Sequence, residues 1–159
     1  MFSRNKTKGF SLVEVLIVIL VIGLLLTFLV MALNLKQKEI RDIKRLSDVQ
    51  IFRNALEVVK NETGAYDRAY CDLGVVSQCA RSGNSELNRY VLNLGQMNDP
   101  STTSNVCQNK AVCEKDVCNY TLIQLEEGED EILFHLEKGA DNYKQKGCYR
   151  ATPFGIFKM

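Results

Sequence analysis

The chain has 159 residues, of which 46% are hydrophobic and 25% charged, with a formal net charge of +1 at neutral pH. This length accommodates one domain and an anchor, and the near-neutral charge gives no electrostatic basis for nucleic-acid binding as its main task. The sequence holds one histidine, His135, and no glycine-rich phosphate loop or nucleophile motif, so we expect no enzymatic activity.

A short basic leader, residues 1–9, opens the chain and ends at Gly9. The next residue is Phe10, and Glu14 follows four positions later as the first acidic residue. A carboxylate at the start of a lipid-facing helix is costly and indicates a function, although the side chain can also snorkel to the interface. Pairing with a positive group of the same or a neighbouring chain would relieve the cost of this unpaired charge.

An uncharged apolar stretch of 19 residues runs from Val15 to Leu33. As a helix it spans roughly 28 Å, close to the ~30 Å hydrocarbon core of a bilayer. A cleaved secretory signal peptide would have a shorter apolar core followed by a small-residue cleavage site. The stretch therefore predicts a transmembrane helix over residues 10–33.

The junction Gly9-Phe10-Ser11-Leu12-Val13-Glu14, together with the apolar stretch, resembles the type III signal of type IV prepilins and of the related type II secretion pseudopilins. The resemblance implies cleavage between Gly9 and Phe10 by a prepilin peptidase, N-methylation of Phe10, and a role for Glu14 in assembly. It also implies the partners of such a subunit: copies of itself in a helical filament, an assembly platform with its ATPase, and membrane lipid before assembly.

The resemblance predicts a structural subunit of a type IV pilus-like filament, serving adhesion, motility, DNA uptake or secretion. Two alternatives stay open: a pseudopilin of a type II secretion system, and a non-polymerising bitopic membrane protein with a small extracytoplasmic binding head. We expect a single pass through the cytoplasmic (inner) membrane with the head extracytoplasmic, followed by an extracellular or periplasmic filament.

The helix is predicted to continue far beyond the membrane, from Phe10 to Thr63, because the first proline is Pro100 and the only glycine between Phe10 and Gly64 is Gly23. Residues 34–63 form an amphipathic continuation with a broad apolar set. We expect this set to serve two faces, one covered by the head and one packed on sister helices. A coiled-coil dimer would need a strict heptad, which the pattern lacks. The charges between residues 36 and 48 are expected to meet lipid head groups or neighbouring subunits.

The head, residues 64–159, is predicted to lay an antiparallel sheet of three or four strands on the outer half of the long helix, which gives an α+β, pilin-like fold. Residues 96–117 are expected to be a loop without regular structure. The other predicted elements are a short helix over 85–95 and strands over 119–125, 131–137, 148–152 and 155–157.

Six cysteines follow the membrane stretch, and an even number in a small exported head indicates disulfides. Their spacing is not that of a zinc site. Fifteen pairings are open. Proximity in the sequence suggests a disulfide that closes a small loop between the first two cysteines, and we expect a second disulfide from the last cysteine to the region 107–118. The cysteines are Cys71, Cys79, Cys107, Cys113, Cys118 and Cys148.

An acidic run, Glu126–Glu131, joins two of the predicted strands. It lacks the alternating ligand pattern of a calcium-binding EF-hand loop. We therefore interpret it as a solvated hairpin turn in preference to a calcium site, and we expect no cofactor.

Overall fold

The computed structural model describes residues 10–64, 71, 73–81, 87–101, 103–124 and 131–159. The chain divides into two compact units, residues 1–37 and residues 38–159. The predicted leader and most of the acidic run, residues 126–130, lie outside the described residues.

A single α-helix, α1, extends from Leu12 to Thr63 through 52 residues. It ends where Gly64 adopts a positive φ of 82° and donates its N–H to Lys60 O at 2.7 Å. Glycine takes this left-handed conformation without the steric cost of a Cβ atom, which is why helices often stop at such a residue. The predicted long helix is confirmed to within two residues at its start.

Five antiparallel strands follow in a simple meander, with spatial order equal to chain order. The sheet therefore has one strand more than the upper predicted number, because the two-residue β1 pairs with β2 and is too short to leave a sequence pattern. The α+β architecture of a long apolar helix followed by a small antiparallel sheet is confirmed. The strands are β1 (Gly74–Val75), β2 (Thr121–Gln124), β3 (Glu131–Leu136), β4 (Gly147–Thr152) and β5 (Gly155–Lys158).

Short helical segments fill the connection between β1 and β2. The predicted helix over 85–95 ends earlier than expected: α2 covers Leu87–Tyr90, and a separate 3₁₀ turn covers Leu94–Gln96. Residues 85 and 86 of this prediction lie outside the described residues. Another 3₁₀ helix, Val76–Arg81, follows β1 directly.

The prediction of an unstructured loop over 96–117 is wrong, because a six-residue helix, α3, covers Lys110–Lys115. Asn109 caps this helix by accepting the N–H of Val112 on its side-chain oxygen at 3.0 Å. An N-cap of this kind satisfies a backbone donor that the helix itself leaves unpaired.

The main core lies between the distal half of α1 and one face of the sheet. Phe52 is 1% exposed, and burying such a side chain contributes about 1.5–3 kcal/mol. From the sheet, Phe134 stacks on Tyr149 with ring centroids 5.8 Å apart. Other members of this core are Val49, Leu56, Val59, Ile132, Leu136 and Ala151.

The opposite face of the sheet is also covered. Leu133 and Cys148 point away from α1 and pack with Cys107, Cys113 and Cys118 in a second core. β3 is consequently buried on both faces from Ile132 to Leu136. The cysteine-rich segment between residues 107 and 118 thus covers the outer face of the sheet.

Candidate functional site

The amino-terminal end of α1 places the predicted processing and assembly residues at the start of the helix. Phe10 and Ser11 precede the first helical residue, and Ser11 O accepts the N–H groups of Glu14 and Val15 at 3.0 and 3.2 Å. Glu14 therefore lies in the first turn, where the unpaired backbone N–H groups favour a negative charge. Gly9 lies outside the described residues, and its predicted cleavage stays a prediction.

The apolar part of α1 is long and hydrophobic enough to cross a membrane, with a mean hydropathy of 3.2 over its most apolar window. None of that window is buried within the protein. Exposed leucine, isoleucine, valine and phenylalanine side chains along a whole helix need a nonaqueous environment, either lipid or another protein.

The distal half of α1 buries apolar side chains against the sheet and exposes others on the opposite side. Ile40, Ile51 and Val58 are 64%, 46% and 40% exposed, and spacings of eleven and eighteen residues place them within about 20° of one direction. Val49 and Leu56, which the sheet buries, lie about 140–180° away on the opposite side. The broad apolar set in the sequence thus separates into a covered face and an exposed face.

A buried ion network fixes the covered face of α1 to the head. The guanidinium of Arg45 is inaccessible to solvent and contacts both carboxylate oxygens of Asp99, at 2.6 and 2.9 Å. It also donates to Asp42 at 2.6 Å and lies 2.8 Å from the Glu137 carboxylate. Burial alone would lower the pKa of Arg45, but its hydrogen bonds to Asp99 and the other carboxylates raise that pKa above its ordinary value.

Asp42 also binds the backbone where the chain leaves β3. Its two carboxylate oxygens accept the N–H groups of Glu137, Lys138 and Gly139 at 2.8–2.9 Å. Glycine is needed at 139 because φ is 94° and a Cβ atom would lie 2.4 Å from Tyr143 O. One helical carboxylate therefore holds the turn after β3 against α1.

The expectation that these charges serve lipid or neighbouring subunits is wrong for Asp42 and Arg45. Both are fully buried within the one chain. The i, i+3 spacing of the two residues on a helix was the only sequence signal of their ion pair. Their partners Asp99 and Glu137 lie 54 and 95 residues further on, beyond the reach of any local pattern.

Acid should weaken this network at Glu137. Two hydrogen bonds from Arg41, both 2.7 Å long, lower the pKa of Glu137 from 4.5 to about 2, against the opposing effect of burial. A carboxyl group with a lowered folded-state pKa stabilises the fold above its unfolded pKa, so we expect stability to fall as the pH drops from about 4.5 through 2. Thermal unfolding of the full chain in detergent, followed by circular dichroism, measures this fall.

Glu137→Gln is the control for that experiment. The variant should be less stable at neutral pH and should lose less stability in the same acidic interval. Burial raises the pKa of Asp48, so its contribution has the opposite sign; it is common to both proteins and cancels in the difference. Parallel loss in the two proteins would contradict the assignment to Glu137.

The disulfides expected in the head are present, and they join all six cysteines. Cys71 pairs with Cys79, as proximity suggested, and Cys148 in β4 reaches Cys113 in α3. The third disulfide, between Cys107 and Cys118, closes the loop around α3. Although three of these sulfur atoms lie close together, disulfide bonding leaves them no thiolate with which to ligate zinc.

His135 occupies an interior position on β3. It is 1% exposed, and its Nδ1 lies 2.5 Å from the backbone oxygen of Cys113. The contact fastens α3 to the sheet beside the Cys113–Cys148 disulfide. The single histidine of the chain is thus placed in a structural contact.

The family model described as the prokaryotic N-terminal methylation motif matches residues 4–30 of this chain. No curated protein and no solved structure matches the chain. The matched segment contains the Gly9–Phe10 junction, Glu14 and most of the apolar stretch. The signal implies processing by a prepilin peptidase and a pilus-like assembly machinery. The chain therefore carries a type IV pilin-like prepilin signal, and the apolar helix that follows it fits a membrane-anchored protein.

Proposed function

We propose that the mature chain is a structural subunit of a type IV pilus-like filament. Cleavage between Gly9 and Phe10 and N-methylation of Phe10 produce the mature end, and helix packing then assembles the subunits. The observation that carries this proposal is the set of apolar side chains of α1 that remain exposed on the side opposite the sheet.

Residues 15–33 supply the first part of the packing surface. Their side chains are exposed along the whole stretch and have no polar atom except the hydroxyl of Thr27, which bonds to Leu24 O. Lipid tails and protein interiors are comparably apolar, so replacing lipid by sister helices forfeits little of the insertion energy. An assembly platform and its ATPase supply the work of extraction.

The exposed face of the distal half supplies the second part. The membrane stretch explains why residues 15–33 are apolar, but it does not account for Ile40, Ile51 and Val58 on a helix whose other side is already covered. An open cavity of about 510 Å³ adjoins this face, with Ile43, Ser47 and Tyr143 in its wall. A neighbouring helix lying along α1 would cover both features.

Glu14 sets the register of this packing. It follows the mature amino terminus by about one helical turn and lies in an otherwise uncharged stretch that extends to Leu35. Pairing with the Phe10 amino group of a neighbouring subunit would offset the desolvation of both charges. Subunits that slide along one another by a turn would lose that pair, which favours one axial offset.

The head is proposed to face outward and to have no catalytic role. Its three disulfides suit an oxidising compartment. The carboxylates of Asp99 and Glu137 in the head bind Arg45 and so hold the fold together. The same amino-terminal design serves adhesion, motility, DNA uptake and secretion, and it suits a type II secretion pseudopilin equally well.

Introducing a charge on the exposed face tests the proposal. Ile51→Asp should leave insertion, processing and head stability unchanged within about 0.5 kcal/mol, because the side chain is half exposed in the single subunit. Filament yield should fall at least about tenfold, since a buried unpaired carboxylate would interrupt the helix interface. Electron microscopy and immunoblotting of sheared filaments measure the yield.

Leu92→Asp is the matched control. Leu92 is 90% exposed on a turn of the head, so the same change in charge and polarity occurs away from α1. Normal filaments are expected from this variant. Normal filaments from Ile51→Asp, or equal loss in both variants, would contradict an interface on this face of α1.

A further inference from the structure

Two disulfides lie side by side in the second core. The sulfur atoms of Cys107, Cys113 and Cys118 all lie within 4.8 Å of one another, and each of these residues is fully buried. Cys113 bonds to Cys148, and Cys107 bonds to Cys118. The third disulfide of the chain belongs to the main core on the other side of the sheet.

We propose that these four cysteines form an intramolecular disulfide-exchange centre. When Cys113 is not bonded to Cys148, its thiolate attacks one sulfur of the Cys107–Cys118 bond. A new bond forms from Cys113 to Cys107 or Cys118, the old bond breaks, and the other sulfur leaves as a thiolate. One disulfide is consumed and one is formed, so the step needs no external oxidant or reductant.

Contacts other than the disulfide keep Cys113 in position for this attack. Its backbone N–H donates to Asn109 O at 3.0 Å within the capped helix α3. Its backbone oxygen contacts His135 on β3. The helix is thus held on the sheet by groups that do not depend on Cys148, and the sulfur stays near its two neighbours when the Cys148 bond is open.

Disulfide exchange would help the head to fold during export, because of the order of the cysteines along the chain. This role rests on the proposed function, in which the head faces outward. Cys148 lies 35 residues after Cys113 and is the last cysteine to cross the membrane if export proceeds from α1 onward. Until it arrives, three neighbouring thiols share one disulfide, and two of the three pairings leave Cys113 occupied. Exchange returns Cys113 to the free state, and a disulfide donor in the export compartment then joins it to Cys148.

The full-length Cys148→Ser protein, purified in detergent and oxidised, tests the chemistry. After incubation near pH 8.5, acid trapping, alkylation and peptide mapping should locate the free thiol on Cys107 or Cys118 as well as Cys113. We expect about a tenth or more of the molecules to hold an exchanged pairing, because exchange trades one disulfide for another. In Cys107→Ser, the thiol of Cys118 should likewise pass to Cys148 through attack on Cys113.

Cys79→Ser is the matched control, since it frees Cys71 in the main core and its thiol should stay there. Free thiol confined to Cys113 in the first variant and to Cys118 in the second would overturn the proposal, as would equal scrambling in the control. Mapping the wild-type protein from cell membranes separates the two hypotheses. Six free thiols there would refute the outward head, while the purified variants still decide the exchange.

Discussion

Replacing Asp42 by Ala should destabilise the unit formed by residues 38–159 by about 3–5 kcal/mol, a large share of the stability of a domain this size. The substitution removes one partner of the buried Arg45 guanidinium and leaves a charge without full compensation. It also removes the acceptor of three backbone N–H groups at the end of β3. Guanidinium unfolding of the full chain in detergent, followed by tyrosine fluorescence, measures the loss.

Glu57→Ala provides the control for Asp42→Ala. Glu57 lies on the same helix, but its side chain is 42% exposed and its ion pair with Arg53 spans 3.9 Å. Exposed pairs contribute about 0–1 kcal/mol, so this variant should unfold almost as the wild type does. A loss below about 1 kcal/mol for Asp42→Ala would show that the network is not what holds α1 to the head.

A double-mutant cycle with Arg45→Met separates the ion pair from the backbone contacts. If Asp42 acts mainly through Arg45, the second substitution should cost little once the first is present. If the three backbone bonds dominate, the two losses should add. We expect partial coupling, because the carboxylate serves both roles at once.

The long helix and the strands could be predicted because local patterns determine them. The absence of proline and the rarity of glycine before Gly64 leave the helix without a stop for more than fifty residues. Alternating side chains in β3 indicate a strand even though both faces of β3 are buried. The two-residue β1 has no such pattern, since pairing with β2 alone defines it.

Helix α3 was missed because the composition around it is typical of a loop. Asn109 followed by Lys110-Ala111-Val112 is an N-cap signal, but six residues are too few for a helical period to appear. Tertiary contacts hold this helix in place: the disulfide to Cys148, and His135 against Cys113 O. Disulfide pairing itself is settled by three-dimensional proximity, which explains why only the shortest loop and the tie to Cys148 were suggested in advance.

The burial of Asp42 and Arg45 could not be predicted from the sequence. Charged residues on an amphipathic helix are usually solvent-exposed, so the sequence predicts that the charges between residues 36 and 48 lie on the surface. Arg45 is instead surrounded by carboxylates that come from three separate parts of the chain. The spacing of apolar residues predicted burial better than the charges did. The apolar positions that do not belong to the stripe covered by the sheet, such as Ile40, Ile51 and Val58, are the exposed ones.

Gly9→Val should block maturation almost completely, and it is the change with the largest expected effect on function. The proposed scissile bond lies directly after Gly9, and a branched side chain there would obstruct the peptidase at the bond it must cleave. Mass spectrometry of the purified protein should find an amino terminus at Met1, whereas the wild type should begin at N-methylated Phe10. Membrane insertion should persist, because the apolar helix is unchanged.

Glu14→Val separates processing from assembly. The cleavage site is intact, so the amino terminus should still be Phe10, and the loss of a carboxylate favours insertion further. Filaments should nevertheless fall to a small fraction of the wild-type amount, because the amino group of each neighbour is left unpaired in an apolar interior. A conservative Glu14→Asp variant should recover part of the yield. The ion-pair hypothesis requires that Glu14→Val is processed but forms few filaments, whereas Gly9→Val is neither processed nor assembled. Abundant filaments from Glu14→Val would contradict the hypothesis.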